Sequence, residues 1–142
     1  MKLSIELVPQ SSFYTNLRSM LPKVKWDEIR KEQYKKSKYT CDVCGGIGDR
    51  WPVECHEIWE YDDKNHIQKL VGFTSLCPAC HEVKHIGLAG IRGRHEQALQ
   101  HLMAINNISK MEATICIEEQ FSIWHLRSQR AWEVDITLIK GE

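Results

Sequence analysis

Leu3, Ile5 and Leu7 alternate with Lys2, Ser4 and Glu6, the period of two that marks a half-buried strand, and Pro9 ends the run. Val134, Ile136 and Leu138 alternate with Glu133, Asp135 and Thr137 in the same way near the other terminus. A lone amphipathic strand leaves an open edge, so the pattern predicts that the two segments pair with one another, residues 2–8 against residues 133–139. Between them the period changes to that of helices. Residues 11–21 place Phe13, Leu17 and Met20 or Leu21 on one face before Pro22, and residues 26–38 place Trp26, Ile29 and Tyr34 opposite Lys31, Lys35 and Lys36. Ala98, Leu99, Leu102 and Ile105 recur at helical spacing before Asn106 and Asn107. Ser109 and Glu112 form a capping-box pattern that opens a longer helix to about Arg130, with Ala113, Ile117, Phe121 and Trp124 as a core-covering stripe and Cys116 beside it as a buried, inert thiol.

The middle of the chain reads as a hairpin and a helix. Residues 51–61 and 66–76 are β-prone runs joined by the polar turn at residues 62–65. A short helix then starts at Cys77, with Pro78 in its first turn and Gly87 as its stop. Residues 89–94 form a glycine-broken basic loop, a connector that could also touch phosphate through Arg92 and Arg94. The elements together predict an α+β protein.

At 142 residues the chain is one unit by length, large enough for a core of its own. The formal net charge is zero, which excludes a protein built for indiscriminate attachment to polyanions but leaves local patches open. Arg18, Lys23, Lys25, Arg30, Lys31, Lys35, Lys36 and Lys38 outnumber the acids of their stretch, while Glu54, Glu57, Glu60, Asp62 and Asp63 crowd the hairpin. The basic helix reads either as an ordinary solvated face or as a phosphate-contacting one, in which Lys and Arg position a backbone without reading its sequence. No segment approaches membrane-spanning length, and the apolar start is short and interrupted by Glu6, so a cytosolic protein with no membrane partner is expected.

Six cysteines fit a reducing compartment better than a disulfide framework. Cys41 and Cys44 form one C-x-x-C pair, Cys77 and Cys80 a second, and 32 residues separate the pairs. A single pair could be redox-active, but two pairs supply the four thiolates that satisfy tetrahedral Zn²⁺, so a structural zinc is predicted on these four residues.

A C-x-x-C knuckle, a strand carrying His56, a return strand, and a helix opening Leu76-Cys77-Pro78-Ala79-Cys80-His81 together resemble the zinc-containing branch of the HNH endonucleases. The resemblance covers residues 24–88, with residues 1–23 and 89–142 as flanks. It implies a treble-clef or ββα-metal core and metal-dependent hydrolysis of DNA phosphodiesters. His56 would be the general base, a task its ordinary titration range suits. His81 would hold a second, catalytic divalent ion (Mg²⁺, Mn²⁺, Ni²⁺ or Zn²⁺), and His85, on the same helix face, could assist. Arg30, Lys31, Lys35, Lys36, Lys38, Arg92 and Arg94 would contact nucleic acid. Two motif positions differ from the family pattern. Cys55 stands where a carboxylate usually precedes the base, and Gly72 stands where the middle Asn is expected; Asn65 or His66 from the hairpin turn could substitute for the Asn, and Glu54 or Glu57 could supply a carboxylate ligand instead. These differences keep a rival reading open: a catalytically inactive, zinc-stabilised module that binds nucleic acid or a protein partner. Trp59 and Tyr61 would be contact residues in the latter case and packing residues otherwise. His56 could equally be a hydrogen-bonded core histidine, and His101 and His125 read as packing or surface residues.

Overall fold

The hairpin is closed by its own turn residue. In the computed structural model, which describes residues 1–12 and 17–140, Asp62 Oδ1 accepts the backbone N–H groups of Lys64 and Asn65, both at 3.0 Å. His66 then takes a left-handed backbone with φ 56°. The turn joins β1 (Glu54–Asp62) to β2 (Ile67–Leu76) in antiparallel register from Glu54 opposite Leu76 to Asp62 opposite Ile67. Ile58 faces Gly72 and Trp59 faces Leu70, so Val71 is an extra residue in β2, a bulge. The bulge shifts the side-chain parity of the strand. Phe73 and Leu70, three residues apart, both join the cluster of Leu17, Trp26 and Ile136, while Leu76 joins the larger cluster on the opposite side.

Seven helices surround this sheet among the described residues. α1 (Leu17–Met20) and α2 (Lys23–Lys36) precede it. α2 starts directly after Pro22, three residues before the predicted start, and lays Trp26 against Phe73 with ring centroids 6.3 Å apart. Within the span of the helix predicted over residues 11–21, the described residues form a 3-10 turn (Gln10–Ser12) and α1. Phe13 lies outside the described residues. α3 (Pro78–Lys84) and α4 (Ile86–Ile91) follow the sheet, separated at His85, whose φ of −107° and ψ of 46° break the helix. Gly87 is therefore inside α4 rather than a stop, and the basic loop is shortened to the turn at Gly93, φ 73°. The cause is apolar burial: Ile86 and Ala89 both enter the core, which holds this stretch as a helix, and Gly87 passes under Phe121. α5 (His95–Asn106) then packs on α3 and α4, and α6 (Lys110–Ser128) packs on α5. Ser109 and Glu112 form the predicted capping box at the start of α6.

The predicted terminal strand pair does not form. Leu3 and Ile5 are buried, as their alternation required, but the segment runs across α3 and α5 as an extended strap. Asn106 supplies what a partner strand would have supplied: its Oδ1 accepts Leu3 N–H at 2.8 Å and its Nδ2 donates to Leu3 O at 2.8 Å. Glu6 N–H donates to Lys84 O at 3.3 Å. At the other terminus β3 (Glu133–Asp135) adds to the sheet in parallel with Ile67–Lys69, giving the order β1-β2-β3. Residues 137–140 turn into the short helix α7 (Thr137–Lys140), with Asp135 Oδ1 accepting Thr137 N–H at 2.9 Å. Alternation reports which side of a segment is buried, not which backbone satisfies it. An α+β architecture is thus observed, with different pairing at its ends.

Replacing Asn106 with Ala removes both contacts to the Leu3 backbone. An unfolding free energy lower by about 1–3 kcal/mol is expected, read as a fall in the urea midpoint. Amide exchange at Leu3 and Ile5 should accelerate before that of β2, and unchanged exchange there would show that Asn106 does not hold the strap.

Candidate metal centres

The first centre joins the loop before the hairpin to the helix after it. Cys41, Cys44, Cys77 and Cys80 bring their Sγ atoms within 4.8 Å of one another, the Cys44 to Cys77 pair at 3.6 Å. Tetrahedral zinc with Zn–S near 2.3 Å requires S···S separations of about 3.8 Å, so the four fit a metal ion such as zinc. The knuckle owes its shape to local hydrogen bonds. Cys44 N–H points at Cys41 Sγ at 3.5 Å, Gly46 N–H at Cys44 Sγ at 3.4 Å, and Gly45 turns the chain with φ 74°. Asp42, between the two cysteines, pins the knuckle to β2. Its Oδ2 accepts Ser75 N–H at 2.8 Å and the Thr74 hydroxyl at 2.9 Å, and its own N–H donates to Ser75 O at 2.8 Å.

Burial resists ionisation of Cys41, yet the backbone N–H groups of Cys44, Cys77 and Val43 bring its thiol down to about 7. Burial, reinforced by the neighbouring thiols, pushes Cys80 up, and burial raises Cys77. Thiolates this close repel, and a cation is what lets all four ionise together. His101, read from sequence as packing, brings Nε2 to 3.2 Å from Cys80 Sγ. Nothing in the local spacing marks that contact, because α5 delivers it from 21 residues away.

The second centre lies one helical turn along α3. β1 delivers the buried His56, α3 delivers His81, and His85 follows at the break between α3 and α4. One ring nitrogen from each falls within 4.8 Å of the others. Ring centroids are 5.2 Å apart for His56 with each partner and 4.7 Å for His81 with His85, whose Nε2 atoms approach to 3.1 Å. Burial first, then the rings of His81 and His56, push His85 down to about 4, which keeps it neutral, as a ligating imidazole must be.

Two carboxylates back this cluster. Glu54 Oε2 lies 3.4 Å from His81 Nδ1, a contact that holds the Glu54 carboxyl below its ordinary range. Glu54 therefore orients His81 through the nitrogen turned away from His85, the arrangement in which carboxylates fix the tautomer of metal-ligating histidines. Glu6 Oε2 lies 2.6 Å from His56 Nε2, and Lys84 Nζ lies 3.4 Å from Glu6 Oε1. Burial resists the charge on Glu6, but His56 and Lys84 bring its carboxyl below the ordinary range. The sequence reading missed Glu6 and Lys84, since only the course of the N-terminal strap brings them to His56.

The remaining candidates separate. Cys55 points to the opposite face of β1, into the cluster with Trp26 and Phe73, where burial pushes its thiol up to about 12. It stays a thiol. Glu57, also raised by burial, hydrogen-bonds the Trp59 side chain and is not grouped with the three histidines. Gly72 lies at the bulge and brings no side chain. Trp59 packs with Trp26, and Tyr61 meets Trp132 edge-on at 5.5 Å beneath the Arg127 guanidinium. Lys31, Lys35, Lys36, Lys38 and Arg92 are exposed. Arg30 pairs with Asp27 at 2.9 Å and Arg94 with Glu82 at 2.6 Å, so these two are already partly neutralised. A groove of about 1360 Å³ opens over the histidines, walled by Trp26, Arg30, Trp51, Leu88 and Trp124.

Protein purified without added metal is expected to carry one tightly held zinc per chain by elemental analysis. In Cys80→Ala the zinc should be lost together with the cooperative fold, since structural zinc contributes on the order of 10 kcal/mol to small domains. A folded, zinc-free wild type would refute the assignment. Compared with protein-family models, with curated proteins and with solved structures, the chain matches none of them.

Proposed function

We propose that the protein is a metal-dependent endonuclease that hydrolyses DNA phosphodiesters, similar to the zinc-containing HNH enzymes with their treble-clef or ββα-metal core. The observation that carries the reading is the convergence of His56 from β1 with His81 and His85 from the following helix, in a groove beside the four-cysteine cluster. The paired Nε2 atoms of His81 and His85, with Glu54 behind His81, suit a divalent ion of the zinc or nickel type better than Mg²⁺, because imidazole nitrogen is a poor ligand for the harder ion. Such an ion would act as a Lewis acid on a phosphodiester oxygen. His56, which lies against that pair and hydrogen-bonds Glu6, would take the proton from the attacking water. Lys31, Lys35, Lys36 and Lys38, along α2 and its exit, would hold the flanking backbone.

A second reading keeps the fold without catalysis: a zinc-stabilised module that binds nucleic acid or a protein. It is favoured by the pairing of Arg30 and Arg94 with acids and by the carboxylates of Glu6, Glu54 and Glu57 around the groove, which oppose a polyanion unless a cation is present.

Nicking of supercoiled plasmid in Mg²⁺, Mn²⁺, Ni²⁺ or Zn²⁺ should be seen for the wild type and fall by about 10²-fold or more in His56→Ala and in His81→Ala, with zinc content and circular dichroism retained. Equal activity in all three proteins would identify a contaminant and remove the enzymatic reading. Salt-sensitive DNA binding without cleavage would favour the binding module.

A further inference from the structure

Glu6 has both carboxylate oxygens engaged. Oε2 meets His56 Nε2 at 2.6 Å, and Oε1 meets Lys84 Nζ at 3.4 Å, while the same ammonium donates to Ser4 Oγ at 3.0 Å. Lys84 is only 8% exposed, and a cation so placed is tolerated because it is paired. The strap that carries Glu6 is held on the far side of this contact by Asn106 and, at Glu6 itself, by its N–H to Lys84 O. On the strand bearing His56, Cys55 faces away, Glu54 contacts His81, and Glu57 hydrogen-bonds the Trp59 side chain.

We propose that Glu6 is the positioning carboxylate of His56, accepting its Nε2–H and so committing the neutral ring to the tautomer with its lone pair on Nδ1. A carboxylate can only accept here, which leaves a neutral imidazole no choice but to donate from the nitrogen that faces it. Lys84, paired with Oε1, holds the carboxylate directed at the ring instead of leaving an oxygen for an ion. When His56 takes a proton from water, that proton goes to Nδ1, Nε2–H stays on the ring, and Glu6 remains a carboxylate beside the new imidazolium. The proton is then released from Nδ1 to the leaving oxygen or to solvent. The catalytic part of this role rests on His56 acting as the base; the tautomer does not.

The tautomer is read directly from long-range ¹⁵N–¹H correlations of histidine-labelled wild-type protein at pH 8, with zinc in the four-cysteine centre and no second metal added. His56 is expected as the Nε2–H form, and finding Nδ1–H overturns the proposal. Glu6→Gln offers an amide that both donates and accepts, so His56 should show mixed tautomers. With Mn²⁺ or Ni²⁺, plasmid nicking by this variant should lose about 10²–10⁴-fold in kcat with little change in KM. An unaltered tautomer together with an unaltered kcat would also overturn it. Should the wild type cut no DNA under any condition, the endonuclease reading fails, and the wild-type spectrum still decides the assignment to Glu6 without requiring any variant to fold.

Discussion

Four thiols that repel when ionised are brought together from the two ends of a long excursion, and the rest of the structure depends on that convergence. Closing a loop of 32 residues costs entropy that a short hydrogen-bonded knuckle cannot recover alone. A cation held by Cys41, Cys44, Cys77 and Cys80 would offset it by joining the loop before β1 to the first turn of α3. Asp42 then ties the same knuckle to Ser75 on β2, so the hairpin is fixed at its open end as well as at its turn. Because His81 follows Cys80 directly and His85 lies one turn further, the geometry of the histidine cluster is inherited from the cysteine cluster.

The residues legible in the sequence were those whose side chains announce their chemistry or whose signal is local. The cysteine pairs and the Ser109–Glu112 cap depend on spacings of a few residues, and the structure brings the four thiols together and forms the cap as that spacing suggested. The hairpin was likewise legible from its β-prone runs and the Asp62 turn. What could not be read were approaches made across the chain. Glu6 reaches His56 over 50 positions, His101 reaches Cys80 over 21, and Asn106 reaches Leu3 over 103. The terminal strand pairing failed for the same reason. Apolar alternation at Leu3 and Ile5 stated their burial correctly, but a side-chain amide and the edge of β2 competed for the role of partner, and neither leaves a mark in the alternating segment itself. The bulge at Val71 was hidden too, since Leu70 and Phe73 share a side only after one residue is set aside.

Charge divides the surface around the groove into two regimes. Exposed lysines along α2 could track a phosphate backbone, whereas the floor near the histidines is acidic through Glu6, Glu54 and Glu57. Lys84 offsets part of that charge from beneath, and the rest favours a cation above. The acidic floor is therefore compatible with a polyanion only when the floor is occupied, which would couple recognition of a phosphate to metal supply instead of leaving the two independent.

The N-terminal strap makes the opening of the chain a working part of the molecule. Met1 is exposed, yet Leu3, two residues on, is fully buried, and Glu6 lies at the histidine ring. A polypeptide joined ahead of Met1 is attached two residues from the buried Leu3, and a bulky or stiff fusion there would drag on the segment that carries Glu6. A purification tag is thus not a neutral choice for this protein. Beyond α7, which has no buried residue, the same tag would be attached away from the segment that carries Glu6.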